Sequence, residues 1–175
     1  MNEYIAIVNI KDCIIGYEEK IKVHQLGILH RAYSIFIFNH KGELLIQRRA
    51  SNKYHSSDLW SNTCCSHLRS NESMEKAVHR RLKEEMNIEC DLFLLDKFAY
   101  NTVFDEQLVE NEIDYIYFGF SNSEPTININ EVSNYKWIDI LLLKNEIISY
   151  PHKYTYWLKK IIFQFDFPLP QIKYK

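Results

Sequence analysis

Residues 60–88 read WSNTCCSHLRSNESMEKAVHRRLKEEMNI and join a segment rich in thiol and imidazole groups to an amphipathic segment. From Glu72 to Met86 apolar residues recur every three or four positions, which predicts a helix with one buried face. These apolar residues are Met74, Ala77, Val78, Leu82 and Met86. Ser70 or Asn71 is the predicted N-cap, because short polar side chains accept hydrogen bonds from the free amides that begin a helix.

The segments on both sides of this stretch have the composition of β-strands. Residues 32–38 and 43–48 predict a hairpin across Asn39-His40-Lys41-Gly42, a stretch rich in turn-forming residues. Residues 4–9 and 13–17 predict an opening hairpin. Further strands are predicted over 92–101, 113–121 and 135–138, and further helices over 140–148 and from about 151 to the residues before Pro168. We expect an α/β (α+β) fold, with a mixed sheet between helices, in a single domain spanning residues 1–175.

Composition and charge restrict the class of protein. A formal net charge of −2 argues against a generally basic nucleic-acid-binding protein, so an anionic ligand would need a local cluster of cations. The sequence has no apolar run of membrane-spanning length and no signal-peptide pattern at its start, so we expect a cytoplasmic protein without a membrane partner. The four cysteines are expected to be reduced, with Cys13 and Cys90 acting as small buried hydrophobic residues.

Two pairs of side chains could carry chemistry. Cys65 and His67 are two residues apart, so an extended segment would place both on the same face. Glu110 and Glu112 have the same spacing, and two adjacent carboxylates repel unless a metal ion or a proton lies between them. On its own, such a pair is more commonly a solvated strand edge.

His24 and His30 could join these pairs. If they converge with His67, Glu110 and Glu112, the five side chains would form a nitrogen and oxygen site suited to an octahedral divalent ion. The other histidines are predicted to occupy ordinary loop or surface positions. They are His40, His55, His79 and His152.

Three motifs together resemble the type 1 isopentenyl-diphosphate isomerases: LHRAYSIFIF at 29–38, SNTCCSH at 61–67 and VENE at 109–112. The resemblance runs from about residue 4 to residue 165. It implies a Nudix-type fold, with a catalytic cavity at one end of the sheet, and conversion of isopentenyl diphosphate to dimethylallyl diphosphate. It also implies one divalent ion, Mn²⁺, Zn²⁺ or Mg²⁺, with ligands from His24, His30, His67, Glu110 and Glu112.

The same resemblance implies roles for the remaining site residues. Cys65 and Glu112 would act as acid and base on opposite sides of the substrate. Tyr100 would hydrogen-bond Glu112 or assist proton delivery, and the indole of Trp157 would stabilise a carbocation. The alternative for Trp157 is a buried aromatic residue of the core. Glu85 and the backbone carbonyl of Cys65 would hold a Mg²⁺ ion that arrives with the diphosphate.

A set of cations would bind the diphosphate of the substrate, because arginine and lysine are the usual ligands of phosphate oxygens. The resemblance assigns this task to Lys20, Arg49, Lys53 and Arg81. Without a phosphate ligand, the same residues would simply be solvated surface cations. The sequence does not distinguish a monomer from a homodimer.

Two other functions compete with isomerisation. A Nudix pyrophosphohydrolase would have the signature G-x5-E-x7-R-E-U-x-E-E-x-G-U, where U is a bulky aliphatic residue. Here Ser66 and Asn87 replace its glycines, and Arg81 replaces a glutamate that hydrolysis needs for a metal ion. The positions that agree with the signature are Glu72, Arg80, Leu82, Glu84, Glu85 and Ile88. A non-catalytic metal-binding scaffold is the second alternative, and it would not need both Cys65 and Tyr100.

Overall fold

The computed structural model describes residues 3–104 and 108–169, and its strands form one mixed sheet. The ends of the predicted domain, residues 1–2 and 170–175, and the segment 105–107 lie outside the described residues. The strands are β1 (Tyr4–Val8), β2 (Ile14–Glu19), β3 (His30–Phe38), β4 (Leu44–Arg49), β5 (Trp60–Ser61), β6 (Cys64–His67), β7 (Leu92–Val103), β8 (Val109–Phe120) and β9 (Val132–Ile138). The helices are α1 (Lys20–Leu26), α2 (Met74–Met86), α3 (Ile140–Ser149) and α4 (Tyr156–Gln164), with a 3-10 turn at Pro151–Lys153. This arrangement confirms the predicted α+β class.

Strand β3 is the centre of the sheet, and different strands pair with its two edges. β8 runs parallel to β3 along its whole length. β6 pairs with residues 32–35 of β3, which also pair with β8, so β6 and β8 lie on opposite edges. β1 and β4 pair with the same edge of β3 as β6 does. Farther out, β2 pairs with β1, β9 with β4 and β7 with β8.

Both predicted hairpins are confirmed. β1 and β2 pair antiparallel, and so do β3 and β4. The turn between β3 and β4 is fixed by Asn39, whose Oδ1 accepts hydrogen bonds from the amides of Lys41 and Glu43 at 2.9 and 3.0 Å. Gly42 has φ of 75°, a conformation that glycine adopts without steric cost.

The two faces of the sheet cover two hydrophobic clusters. Tyr33, Ile35 and Ile37 of β3 point to α2, where they pack with Ala77, Val78, Leu82 and Met86. Phe36 and Phe38 point to the other face, where they pack with Leu143, Leu158 and Ile161 of α3 and α4. Alternation along β3 therefore places His30, Ala32 and Ser34 on the α4 face.

Helix α2 begins later than the sequence predicts. Its N-cap is Ser73, whose Oγ accepts a hydrogen bond from the amide of Lys76 at 3.3 Å, so neither Ser70 nor Asn71 is the cap. Glu72 stays outside the helix because its carboxylate is bound to the amide of Arg69 and to the guanidinium of Arg80. At the other end Asn87 caps the helix with φ of 53°. This is the left-handed conformation that glycine, the residue of the hydrolase signature at this position, adopts readily.

Helix α1, β5 and β6 were not predicted as elements, and other boundaries shift. α1 has seven residues and no side-chain N-cap, too short for a clear period. β8 begins at Val109 rather than 113, and the last helix begins at Tyr156 because Pro151–Lys153 forms a separate turn. Cys13 is exposed, not buried as expected, although all four cysteines are free as predicted. Within the described residues, no helix combines the length and apolarity needed to cross a membrane.

Candidate active site

A cavity lies on the α4 face of the sheet, beside the first residues of β3. Every predicted site residue lines it except His24, His30 and Glu85. Its lining comprises Lys20, Ala32, Tyr33, Ser34, Arg49, Lys53, Tyr54, His55, Cys65, Ser66, His67, Arg81, Tyr100, Glu110, Glu112, Asp114 and Trp157. The two-residue spacings explain this convergence, because alternate residues of β6 and of β8 point to the same face.

The rings of His24 and His30 lie 4.9 Å from the ring of His67, which lines the cavity, and both are held by backbone carbonyls. The Nδ1 atom of His24 is 2.6 Å from the carbonyl oxygen of Lys20, and that of His30 is 2.8 Å from the carbonyl oxygen of Ile28. A carbonyl only accepts, so each Nδ1 carries a proton, and in the neutral form of the ring Nε2 is then left with a lone pair. This tautomer is the one that a metal-binding histidine adopts when its second nitrogen donates to a carbonyl.

The free nitrogens face the two glutamates. Nε2 of His24 is 3.3 Å from Oε2 of Glu110, and Nε2 of His30 is 3.2 Å from Oε1 of Glu112. Nε2 of His67 is 2.9 Å from the same oxygen of Glu112. Lone pairs directed at carboxylate oxygens are unfavourable unless a cation or a proton lies between them.

The five side chains fit a divalent cation. One ligand atom from each lies within 4.8 Å of all the others, and all five residues are buried. Within the described chain, Oε2 of Glu110 and Nδ1 of His67 are buried without a hydrogen-bond partner. Three imidazoles and two carboxylates suit an octahedral transition-metal ion or Mg²⁺ better than a tetrahedral structural site. The convergence predicted for His24, His30, His67, Glu110 and Glu112 is present.

The pKa values of Glu110 and Glu112 are shifted in opposite directions. Burial, and next the charge of Glu112, raise the pKa of Glu110 to about 7. Burial would also raise the pKa of Glu112, but its contacts with His30 and His67 hold that pKa well below the usual value. The carboxyl of Glu110 is therefore harder to ionise than an ordinary glutamate, and a divalent cation beside it would favour its ionised form.

Cys65 and Cys64 point to opposite faces of β6. Cys65 pairs with Ser34 of β3 and lines the cavity, whereas Cys64 pairs with Ile35 and lies fully buried in the α2 core. Burial raises the pKa of the Cys65 thiol to about 12, although the guanidinium of Arg49 opposes this effect. Nη1 of Arg49 lies 3.9 Å from Sγ of Cys65. The thiol of Cys65 is therefore harder to ionise than that of an ordinary cysteine.

Glu112 enters the cavity from the other edge of β3. It pairs with His30 in the parallel ladder, and its Oε2 accepts a hydrogen bond of 2.5 Å from the hydroxyl of Tyr100 on β7. Because β6 and β8 flank β3, their backbones lie roughly 10 Å apart. Cys65 and the Tyr100–Glu112 pair therefore face the space above β3 from opposite sides.

Trp157 closes the cavity from α4 and is 4% exposed. Its Nε1 donates hydrogen bonds to Oγ of Ser61 at 2.9 Å and to Oδ1 of Asn62 at 3.0 Å, which fix the indole plane. The guanidinium of Arg49 lies 5.3 Å from the ring centroid. The indole is therefore held in place and already accommodates a cation near its ring.

The four predicted phosphate-binding cations line the cavity, and each has a defined contact. Nζ of Lys20 is 3.2 Å from Glu3. Lys53 and Arg81 are both paired with Glu131. Carboxylates of Glu3 and Glu131 therefore hold Lys20, Lys53 and Arg81 in place at the cavity.

Glu85 is the third predicted residue that does not line the cavity. It is buried, and it accepts hydrogen bonds from Nη2 of Arg81 and, at 2.7 Å, from Nε2 of Gln47. Both of its oxygens are thus engaged within the chain.

The residues of the cavity that the sequence interpretation missed include Tyr54, His55 and Asp114. His55, assigned to an ordinary loop or surface position, has a side chain only 7% exposed and contacts Glu110, so that assignment is wrong. Tyr54 precedes it and lies edge-on to His24. Asp114 is fully buried and accepts a hydrogen bond of 2.8 Å from Ser34. The spacing Glu110, Glu112, Asp114 was a signal for the last of these, because alternate strand residues share a face.

Relatives of known name match nearly the whole chain. The family model of the NUDIX domain matches residues 28–160. Isopentenyl-diphosphate Delta-isomerase 2 of Photorhabdus laumondii subsp. laumondii is 47% identical over 162 residues, which are 93% of this chain and 92% of that protein. The isopentenyl-diphosphate Delta-isomerase of Burkholderia multivorans is 40% identical over 169 residues, covering 97% of this chain and 96% of that protein.

Solved structures support the fold. The crystal structure of DR0079 from Deinococcus radiodurans superposes with a TM-score of 0.78 and 21% sequence identity, covering 93% of this chain and 98% of that one. The MutT protein from Methanosarcina mazei superposes with a TM-score of 0.56 over 67% of this chain and 81% of that one.

Proposed function

The chain belongs to the isopentenyl-diphosphate Delta-isomerase family and carries a Nudix domain, and from this premise we propose how its cavity performs that reaction. The enzyme converts isopentenyl diphosphate to dimethylallyl diphosphate, a reaction of isoprenoid biosynthesis. The observation that carries the proposal is the position of Cys65 and Glu112, which enter one buried cavity from opposite edges of β3.

The reaction moves one double bond and needs two proton transfers. When the terminal alkene carbon is protonated, the π electron pair forms the new C–H bond and a tertiary carbocation remains. Loss of a proton from the allylic carbon returns a C–H electron pair as the internal double bond. Cys65 and Glu112 are the groups proposed for these steps, one donating and the other accepting, and they exchange roles in the reverse direction.

Tyr100 and Trp157 would act beside this pair. The hydroxyl of Tyr100 donates to Glu112, so the two form one proton-transfer unit. Trp157 is buried with its indole plane fixed by hydrogen bonds. An indole near a developing positive charge lowers the energy of the cation relative to the neutral alkene.

We propose that the five-residue cluster holds Mn²⁺, Zn²⁺ or Mg²⁺, and that a second Mg²⁺ accompanies the diphosphate. The ligands of the first ion would be His24, His30, His67, Glu110 and Glu112. The bound ion would neutralise the paired carboxylates and make the field of the cavity more positive. For the second ion, Glu85 and the carbonyl of Cys65 remain the proposed ligands, and Glu85 would have to release Arg81 or Gln47 to reach it.

The diphosphate would lie among Lys20, Arg49, Lys53 and Arg81, all of which line the cavity. A local cationic cluster is what a chain of net charge −2 requires to bind such a substrate. Neither nucleic acid nor a membrane is a proposed partner. The cytoplasmic location and the single domain stay predictions, as does either a monomeric or a homodimeric state.

Hydrolysis of a diphosphate is the alternative activity on this fold, and the contacts of Arg81 argue against it. Its guanidinium binds Glu84 and Glu85, the carboxylates of the signature helix that would otherwise hold metal ions. Arg81 itself occupies a position where the hydrolase signature has a further carboxylate. The helix therefore presents a cation in place of a cluster of metal ligands.

The experiment is to incubate the purified protein and Mg²⁺ with isopentenyl diphosphate and to follow the allylic isomer by proton NMR. We expect dimethylallyl diphosphate to accumulate without release of phosphate or pyrophosphate. Phosphate release without the isomer would support the hydrolase, and binding without either product would support a scaffold.

A further inference from the structure

His55 lies in the loop between β4 and β5 and reaches into the cavity. Its Nε2 is 2.9 Å from Oε1 of Glu110, and its Nδ1 is 3.2 Å from Oγ of Ser56. A neutral imidazole has one N–H, and carboxylate oxygens only accept, so Nε2 carries the proton and Nδ1 accepts from the serine hydroxyl. His55 lies outside the set of five that could share one cation.

The two oxygens of Glu110 have different surroundings. Oε2 faces the Nε2 atoms of His24 and His30, at 3.3 and 3.8 Å, and has no hydrogen bond within the described chain. Oε1 lies 2.9 Å from Nε2 of His55. The carboxylate therefore has one oxygen available for an ion and one engaged by a protein donor.

The ring of His55 is held from several sides. It stacks on Phe104 with centroids 5.2 Å apart and an interplanar angle of 17°, and it meets Tyr54 and Trp157 edge-on at 4.4 and 5.9 Å. The backbone is fixed as well, because Nη2 of Arg49 donates to the carbonyl of His55 at 3.2 Å. A donor fixed in this way can impose an orientation on the carboxylate that it contacts.

We propose that His55 is a positioning residue that donates its Nε2–H to Oε1 of Glu110 and thereby commits Oε2 to the divalent ion. It would not touch the substrate or the ion, and the inference rests on the metal-binding part of the proposed function. Removal of a residue that hydrogen-bonds a metal ligand without contacting the metal typically weakens metal affinity by about 10- to 100-fold.

Two substitutions separate the hydrogen bond from the packing. His55→Phe keeps an aromatic ring against Phe104 and Trp157 but has no donor for Glu110. His55→Gln has no ring but can place an amide N–H near the position of Nε2. His40→Gln is the matched control, because His40 is exposed and its ring contacts Asn122 away from the cavity.

The readout is the affinity for Mn²⁺ alone, measured by electron paramagnetic resonance titration of metal-free protein. We expect His55→Phe to weaken binding by roughly 10-fold or more, and His55→Gln and His40→Gln to stay near the wild type. If His55→Phe does not fold, His55→Met fills the same space with a flexible apolar chain and takes its place.

The opposite pattern would overturn the inference. Unchanged Mn²⁺ affinity in His55→Phe, or a loss in His55→Gln equal to that in the Phe variant, would mean that the contact with Glu110 does not orient it. Failure of the proposed function has a different signature, since the wild type itself would then bind no Mn²⁺ or form no isomer. A wild type that binds Mn²⁺ and isomerises, beside a His55→Phe variant of equal affinity, would exclude this inference alone.

Discussion

At the scale of the residue, Cys64 and Cys65 show how the pleat of one strand gives two identical side chains different environments. Cys64 packs in the α2 core, and Cys65 lines the cavity beside Arg49. The same alternation separates Ser34, which points to the cavity, from Ile35, which points to the core. The period of two in an extended segment therefore decides which thiol can meet a substrate.

The first prediction compares these two thiols. Cys65→Ala is expected to abolish isomerisation because it removes one of the two proposed proton-transfer groups. Cys64→Ala should retain most of the activity and lose about 1 kcal/mol of stability through a small cavity in the core. Product formation by NMR and urea unfolding measure the two effects.

A thiol-directed epoxide analogue of the substrate supplies an independent check on the same assignment. Mass spectrometry should locate its adduct on Cys65. An adduct on Cys13 or Cys90, or equal loss of turnover in the two alanine variants, would contradict the role given to Cys65.

The second prediction concerns Trp157 and separates catalysis from binding. Trp157→Leu keeps an apolar side chain but removes the π face, and a desolvated cation–π contact is worth about 2 kcal/mol, so kcat should fall roughly 30-fold. Trp157→Phe should lose less, although it also removes the hydrogen bonds to Ser61 and Asn62. KM should change little in both variants, because the diphosphate is bound by other residues.

An ammonium analogue of the carbocation tests the same contact at equilibrium. It should bind the wild type much more tightly than Trp157→Leu. A Leu variant that keeps its kcat and merely melts at a lower temperature would show that Trp157 is a core residue.

At the scale of the element, the sequence could predict those segments whose period is long enough to read. The helix that became α2 and the hairpin of β3 and β4 were predicted because apolar residues repeat over at least six positions. α1 has seven residues, and β5 and β6 have two and four, so none repeats a pattern. His55 was misassigned for a related reason: it lies in a loop, where no period indicates which way a side chain points.

The third prediction tests the observed start of α2. Ser73→Ala should cost about 1 kcal/mol of stability because it removes the side-chain acceptor for the amide of Lys76. Ser70→Ala is the control and should change stability by less than about 0.5 kcal/mol. Thermal and urea unfolding measure both, and turnover should stay unchanged. A larger effect at Ser70 would restore the boundary predicted from the sequence.

At the scale of the whole molecule, the proposed metal site joins four elements. Its ligands come from α1, β3, β6 and β8, which lie far apart in the sequence but pair around β3. Convergence of this kind could be inferred from the family resemblance but not from local pattern, because pairing between β3 and β8 spans about eighty residues. A ligand that binds only the folded chain stabilises all of these elements together.

The fourth prediction follows from that arrangement. Treatment with a chelator should abolish turnover and lower the melting temperature, and Mn²⁺, Zn²⁺ or Mg²⁺ added back should restore both to different extents. At a metal concentration of about one hundred times Kd, the expected stabilisation is roughly 2.7 kcal/mol. Glu110→Gln should weaken the response to metal. A melting temperature that is the same with and without the ion would exclude binding to the folded state.

The last prediction concerns Glu3, which joins the start of the sheet to the cavity. Its carboxylate is paired with Lys20, which lines the cavity, and with Arg69 beyond β6. Burial would raise the pKa of Glu3, but the charges of Lys20 and Arg69 lower it from 4.5 to about 2. A lowered pKa means that the ionised carboxylate stabilises the folded state, by at most roughly 3 kcal/mol above pH 5.

This contribution should disappear as the pH falls from about 4.5 towards 2, because the unfolded chain takes up the proton first. Glu3→Gln cannot ionise, so we expect it to be less stable than the wild type at pH 7 and to approach it at pH 3. Urea unfolding of both proteins without metal at pH 7, 5 and 3 gives the difference directly, with the other carboxylates common to both. A difference that stays constant over this range would show that Glu3 acts through packing rather than through its charge.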